Sequence, residues 1–312
     1  MTPIDLQEGS ATPVVDVRQV TYRYGKRVAL DALDLAVPEG ALYALLGPNG
    51  SGKTTLLQLL MGLRRPTNGR ISVLGKERAS MTIADRAKIT YVAEGQRLPK
   101  WMRLEQLESY LAPLYDGWDP SLAASLRERF ELDPRQVVGT LSRGQRMKVA
   151  LLCALAPRPR LLLMDEPFTG MDVVVKDELV RGLLDASGSE GWTVLLCSHD
   201  IGELESLADW VGFLDGGKIR LSEPMESLLG RFKHVEMVAP DRPITALPEW
   251  VSVERAGPLT TFIVPHASQR PLDAELRAGH PHASRIDVRD ATLREIFVAL
   301  AQNRSRRSEV AA

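Results

Sequence analysis

This sequence predicts an α/β fold built on a parallel-stranded sheet, with a helical insertion and a small α+β extension at the C-terminal end. Three observations carry that reading. Compact apolar runs, ALYALL, ITYVA, RLLLMD and TVLLCS, alternate with helical patterns between Val14 and about Gly230. Unbroken runs of this kind are expected of strands buried on both faces of a parallel sheet. Between ITYVA and RLLLMD the strand signals stop, and residues from about 96 to 158 read as helices instead. After Phe232 the texture changes, with prolines at 240, 243, 248, 258, 265, 271 and 281 between short strand-like pieces. The expected division is a main domain over 14–230, with the insertion about 96–158 inside it, and a small domain over 231–312.

Taken in order, ALYALL is a buried strand that runs into a glycine-rich turn, and KTTLLQLLMGL follows with apolar residues at helical spacing. ITYVA is the next short strand. LEQLESYLAPLY, PSLAASLRERF and GQRMKVALLCALA supply the helices of the insertion. RLLLMD and TVLLCS return the chain to the sheet. In the extension HVEMV and TTFIV are strand-like, and ATLREIFVALAQ closes with a helical pattern. His280 and His282, in GHPH, have no acidic or thiol partner nearby in sequence, so a surface loop is expected there rather than a metal site. Cys153 and Cys197 both sit inside apolar segments, as buried free thiols would.

Hydrophobic residues at 44% and charged residues at 25% place the chain among ordinary globular proteins rather than disordered ones. Lys plus Arg (39) is matched by Asp plus Glu (40), so no net basic charge favours bulk binding to nucleic acid, and none is expected as a partner. Only the tail NRSRRSEV is locally basic, and a solvated terminus accounts for it. The longest apolar run, VALLCALA, is far short of the roughly 18 residues of a membrane span. The opening MTPIDLQEGSATP is polar and slightly acidic, unlike a secretory signal. The chain is therefore expected not to cross a bilayer itself.

The chemistry is concentrated in a few segments. Gly47, Pro48, Asn49, Gly50, Ser51, Gly52, Lys53, Thr54 and Thr55 spell GPNGSGKTT, which has the spacing G-x-x-x-x-G-K-[ST] between a strand and a helix. Glycines let backbone N–H groups close around phosphate oxygens, and the helix N-terminus adds a favourable dipole. Lys53 is placed to reach the β- and γ-phosphates of a nucleotide, and Thr54 to ligate Mg²⁺. The strand RLLLMD delivers Asp165 at its C-terminal end, where a carboxylate suits Mg²⁺ held directly or through water. Glu166, the next residue, is positioned to polarise a water attacking the γ-phosphate. The stretch LSRGQ, Leu141–Gln145, begins a helix with Ser142 as N-cap and Gln145 closing a capping box.

The order phosphate loop, LSRGQ, RLLLMDEP and then CSHD resembles the nucleotide-binding subunit of ABC transporters, over about residues 14 to 230. The resemblance implies a phosphate-loop NTPase (RecA-like) core with an antiparallel β-subdomain and an inserted helical subdomain. It also implies ATP and Mg²⁺ as cofactors, and a second ATP-binding subunit as partner, expected here as a homodimer. In such dimers the signature of one subunit caps the ATP on the phosphate loop of the other, which would give Ser142, Gly144 and Gln145 a role in trans. Tyr24, in TYRYGKR, looks like the aromatic that stacks on adenine. Asp172, in TGMD, resembles the loop linking the two sites, and His199, in SHD, the switch histidine at the γ-phosphate. Catalysis would thus rest on Lys53, Glu166 and His199.

Two positions depart from the family pattern. Arg143 stands where LSGGQ has its first glycine. In YVAEGQ, Glu94 occupies the usual glutamine position and would be an acidic Mg²⁺ ligand, with Gln96 two residues on. The ending DATLREIFVAL resembles the closing segment of bacterial exporter ATPases whose integral membrane permeases are separate chains. The implied function is a cytoplasmic subunit, peripheral on the membrane through a permease, that hydrolyses ATP to power transport, with export as the expected direction. The rival is a soluble ATPase of the same type acting on ribosomes or DNA. A single phosphate loop and the lack of long coiled coils or zinc motifs argue against it.

Overall fold

The computed structural model describes residues 13–202, 205, 207–240, 244–247, 249–265 and 271–300, with backbone alone at 173–174 and 185–190. The opening stretch before Pro13, the basic tail, and the prolines at 243 and 248 lie outside the described residues. The chain divides into two compact units. One runs to Asp200 and takes up Leu207–Ser222; the other comprises Ile201–Ser206 and the chain from Glu223. The division after Ser222 falls earlier than the 230/231 boundary suggested by texture. The helix Met225–Arg231 sits with the second unit, where it lies against the strand Arg285–Asp290 and buries Met225 and Leu228.

The first unit is organised around a six-stranded sheet. Its order is Lys218–Pro224, Trp210–Asp215, Leu42–Leu46, Thr193–Ser198, Leu161–Asp165, Ile89–Val92. Leu42–Leu46 runs parallel to both of its neighbours, as Leu161–Asp165 does to its own. Every residue of Leu42–Leu46, Leu161–Asp165 and Thr193–Ser198 is buried, which is why these strands lack polar alternation. Parallel strands all end on one side of a sheet. The register pairs Leu46 with Ser198 and Asp165 with Cys197, so Gly47, Glu166 and His199 leave the sheet side by side. Such carboxyl ends are where ligands bind in open α/β sheets.

A four-stranded sheet, ordered Arg27–Val37, Val15–Tyr24, Asn68–Val73, Lys76–Glu77, is antiparallel throughout and belongs to the same unit. Its first hairpin places Tyr24 opposite Arg27 at the tip. The helix Lys53–Leu60 buries Leu56, Leu57, Leu59 and Leu60 in the core formed with Val15, Leu33 and Tyr43. Each such leucine contributes roughly 1.5–3 kcal/mol by burial, and truncation of one to alanine costs about 2–5 kcal/mol. Three helices, Leu104–Leu111, Pro120–Arg129 and Arg143–Leu155, form the insertion. The first is shorter than its apolar pattern because Pro113 cannot continue it, and the chain turns into a 3₁₀ segment at Ala112–Leu114.

The second unit has its own four-stranded antiparallel sheet, ordered Val251–Ala256, Leu259–Val264, Lys233–Val238, Arg285–Asp290. The helix Leu272–Gly279 and a helix over 293–300 complete it. Val235, Met237, Phe262, Leu276 and Ile286 make a separate core, with the Trp250 and Phe262 rings stacked at 3.6 Å and 9°. His280 corrects the surface-loop expectation: only 7% of it is exposed. It lies 5.5 Å from the Trp250 ring, and Nε2 is 3.3 Å from the Thr245 carbonyl. An apolar aromatic neighbour and a backbone acceptor suffice to hold one ring inside. Among the described residues no group of three or more His, Cys, Asp or Glu could hold a metal. No described helix is long and apolar enough to cross a membrane.

Candidate active site

The loop after Leu46 is shaped by contacts that only glycine permits. A Cβ on Gly47 would stand 2.2 Å from the Leu214 carbonyl oxygen. Gly52 has φ 116°, and a Cβ there would meet Leu30 Cδ2 at 2.6 Å and the Ala29 oxygen at 2.8 Å. Ser51 N donates to the Pro48 carbonyl at 3.1 Å, closing the loop over the start of the helix Lys53–Leu60. The result is a set of backbone N–H groups at a helix N-terminus, suited to phosphate oxygens.

Lys53, 6% exposed, donates from Nζ to the Gly47 carbonyl at 2.6 Å and the Pro48 carbonyl at 3.4 Å. Its Nζ also lies 3.2 Å from Glu166 Oε1. Glu166 takes φ 47°, a left-handed conformation unusual for a residue with a Cβ, and its N–H donates to the Cys197 carbonyl at 2.9 Å. Its Oε2 is 2.7 Å from His199 Nδ1 and accepts from His199 N–H at 3.3 Å and Thr169 Oγ1 at 3.4 Å. The structure thus brings the three expected catalytic side chains, Lys53, Glu166 and His199, into one cluster at the carboxyl ends of adjacent strands.

Asp165 lies beside them, 4% exposed, with the Tyr91 hydroxyl donating to Oδ2 at 3.4 Å. Burial pushes its carboxyl above the usual carboxylate range and the Glu166 charge adds to this, while the Thr54 hydroxyl, Tyr91 and Lys53 pull the other way. Asp165 Oδ1 and Ser51 Oγ are buried with no hydrogen-bond partner among the described residues. Orphaned hard oxygens beside Thr54 fit a small divalent cation such as Mg²⁺. Tyr91 was not singled out by sequence reasoning. Its position three residues before Glu94 in ITYVAE was the only signal, and nothing in it marks a hydroxyl aimed at the neighbouring strand.

The YVAEGQ turn distributes its polar groups differently from the expectation. Glu94 is exposed, with no contact to Lys53, Asp165 or Glu166 among those described. Gly95, at φ 59°, reverses the chain, and the Gln96 carboxamide folds back so that Oε1 accepts from Ala93 N at 3.2 Å. Gln96 then lines a cavity together with Glu166, Arg143 and Arg146.

Ser142 caps the helix Arg143–Leu155: Gln145 N donates to Ser142 Oγ at 3.1 Å, and Ser142 N to Gln145 Oε1 at 2.9 Å. Gly144 faces Val175, where a Cβ would come within 2.8 Å. Asp172 caps the helix Val173–Glu190 through Val175 N at 3.0 Å. Arg143 lies against Gly170, just before Asp172. Ser142, Gly144 and Asp172 share no described contact with the Lys53 cluster of their own chain. Tyr24, 43% exposed, sets its hydroxyl 3.3 Å from Thr55 Oγ1 at the edge of the phosphate loop.

Comparison with known proteins gives one consistent picture. The sequence profile of a family described as ABC transporter matches residues 30–169. A sulfate/thiosulfate import ATP-binding protein of Synechococcus elongatus is 32% identical over 270 residues, covering 83% of this chain and 78% of that one. A lantibiotic transport ATP-binding protein of Streptococcus pyogenes is 32% identical across 67% of this chain and 90% of its own length. Among solved structures, a dimeric ATP-binding cassette in a post-hydrolysis state with ADP and phosphate superimposes with a TM-score of 0.60 at 25% identity, over 68% of this chain and 98% of that one.

Proposed function

We propose, from the premise that this chain belongs to the ABC transporter family of ATP-binding subunits, that it pairs with a second copy of itself and powers a separate membrane permease. It is an ATPase of that family, whose cassettes dimerise and work with membrane permease components. The observation that carries the mechanism is the Lys53–Glu166–His199 cluster beside Asp165. Lys53 supplies the fixed positive charge for the transferred phosphoryl group. Glu166 draws a proton from the attacking water, and His199 Nδ1 holds the carboxylate in place. Asp165 and Thr54 would hold Mg²⁺, which supplies charge neutralisation at the phosphates.

Export is the direction we assign, supported by the closing segment DATLREIFVAL; of the similar proteins, one is named for import and another for transport without a direction. The chain acts on the cytoplasmic face, held there by its permease. No observation favours action on ribosomes or DNA.

Homodimeric action in trans is supported by the lack, among the described residues, of a contact from Ser142 or Gly144 to Lys53, Glu166 or His199 of the same chain, although Arg143 lines a cavity with Glu166. It predicts complementation. Ser142→Arg blocks closure by crowding the γ-phosphate position, and Lys53→Ala disables the loop, so each homodimer has two defective sites. Mixing the two gives heterodimers with both lesions in one site and the other site intact. After subunit exchange is confirmed with differently tagged chains, ATP turnover or ATP trapping should reappear. Confirmed heterodimers with neither would overturn the assignment in trans.

A further inference from the structure

Tyr24 does not stand alone at the hairpin tip. The Arg64 guanidinium lies over its ring, with Cζ 4.8 Å from the centroid. Arg64 is fixed there by two neighbours: Nε donates to Gln58 Oε1 at 2.5 Å, and Nη1 to the Tyr22 hydroxyl at 2.8 Å. Tyr22 in turn meets Tyr24 edge to face, at 5.0 Å and 78°. The Tyr24 hydroxyl is tied to Thr55 Oγ1. A cation over the ring, an aromatic edge and a tethered hydroxyl leave the tyrosine little rotamer freedom. The 43% of it that stays exposed is the part a flat base can reach.

We propose that Arg64 is a positioning residue for the nucleotide base, acting by holding Tyr24 as a preformed stacking platform joined to the phosphate loop through Thr55. The proposal rests on the reading of Tyr24 as the base-stacking residue. A surface tyrosine loses rotamer entropy when a ligand orders it, and a side chain ordered beforehand avoids that loss. The attraction between guanidinium and ring supplies the ordering, and Gln58 and Tyr22 keep the guanidinium from swinging out to solvent. Arg64 hydrogen-bonds neither Lys53 nor the loop carbonyls, so its influence is on the base and not on the phosphates.

The test is titration calorimetry of the full chain with ADP and with inorganic pyrophosphate, the phosphate moiety without a base. Arg64→Ala should weaken ADP about three- to fivefold, the worth of an exposed cation–π contact, and leave pyrophosphate unchanged. Tyr24→Ala should also weaken ADP alone, and the double variant should bind no worse than Tyr24→Ala. Equal losses for ADP and pyrophosphate would mean that Arg64 supports the phosphate loop, and the proposal fails. It fails equally if Arg64→Ala is silent while Tyr24→Ala is not, or if the two losses simply add; in both cases Tyr24 keeps its role. If Tyr24→Ala leaves ADP binding unchanged, the platform reading itself falls and the proposal falls with it.

Discussion

Glu166 occupies a left-handed backbone conformation that costs a residue with a side chain on the order of 1 kcal/mol or more. It is held there by the Cys197 carbonyl on one side and by Lys53 and His199 on the other. Glu166→Gln should therefore keep ATP binding and the dimer that ATP induces, seen by size exclusion, while hydrolysis falls by at least about a hundredfold. Lys53→Ala should nearly abolish Mg²⁺-dependent turnover, because among the described residues no other buried cation contacts the Gly47 carbonyl or Glu166. In the YVAEGQ turn, Gln96→Ala should lower turnover, whereas Glu94→Gln should leave the Mg²⁺ titration of activity unchanged. A shifted Mg²⁺ midpoint in Glu94→Gln would return that residue to the metal. The positions of Lys53 and Asp165 were legible, Lys53 from the spacing between a strand and a helix and Asp165 from the end of an unbroken apolar strand. Which of Glu94 and Gln96 lines the cavity with Glu166 was not, because it depends on the φ of Gly95, which spacing does not encode.

At the scale of elements, capping decides where helices begin. SRGQ and TLRE both carry the pattern, and both caps form: Ser142 with Gln145, and Thr292 with Glu295. The second was hidden in the sequence by the helical apolar pattern of ATLREIFVALAQ, which begins at Ala291, ahead of the cap. Glu295 Oε2 accepts from Thr292 N at 2.9 Å, and Arg289 Nη1 from the preceding strand donates to the same oxygen at 2.9 Å. Arg289 first, then the Thr292 groups and the His234 charge, hold its carboxyl down at about 2 from an ordinary 4.5, against a burial effect that raises it. A depressed carboxyl stabilises the fold above its unfolded value and loses that contribution as pH falls through the folded one. Glu295→Ala should thus destabilise the second unit by about 1 kcal/mol at pH 7 in urea titration. The difference from wild type should shrink below about pH 4.5 and vanish near pH 2. The strand Arg285–Asp290 was equally hard to see in RIDVRD, since only Ile286 in it is buried.

At the scale of the whole molecule, two compact units, each with a core of its own among the described residues, imply two unfolding events, and the proposed nucleotide groups lie only in the first unit. ADP at a hundred times its Kd should stabilise that unit by about 2.7 kcal/mol and leave the second transition where it was. Calorimetric scans with and without ADP check this; a shift of both transitions would show that the units unfold together. The parallel core was legible because strands buried on both faces have no polar residues to disguise them. The second unit was legible only as a change of texture, because its strands alternate and its closing contacts are between residues far apart in sequence.

The chain's two cysteines, Cys153 and Cys197, are both buried, and both belong to the first unit. Burial pushes the Cys153 thiol up to about 12, with the Glu108 charge adding to it, and drives Cys197 well above its ordinary value. Neither can react as a thiolate until the unit opens around it. The unmodified protein therefore carries a stopwatch: the rate at which a thiol reagent consumes these groups counts openings of the ATP-binding unit alone, deaf to anything the other unit does. Nucleotide should slow that clock.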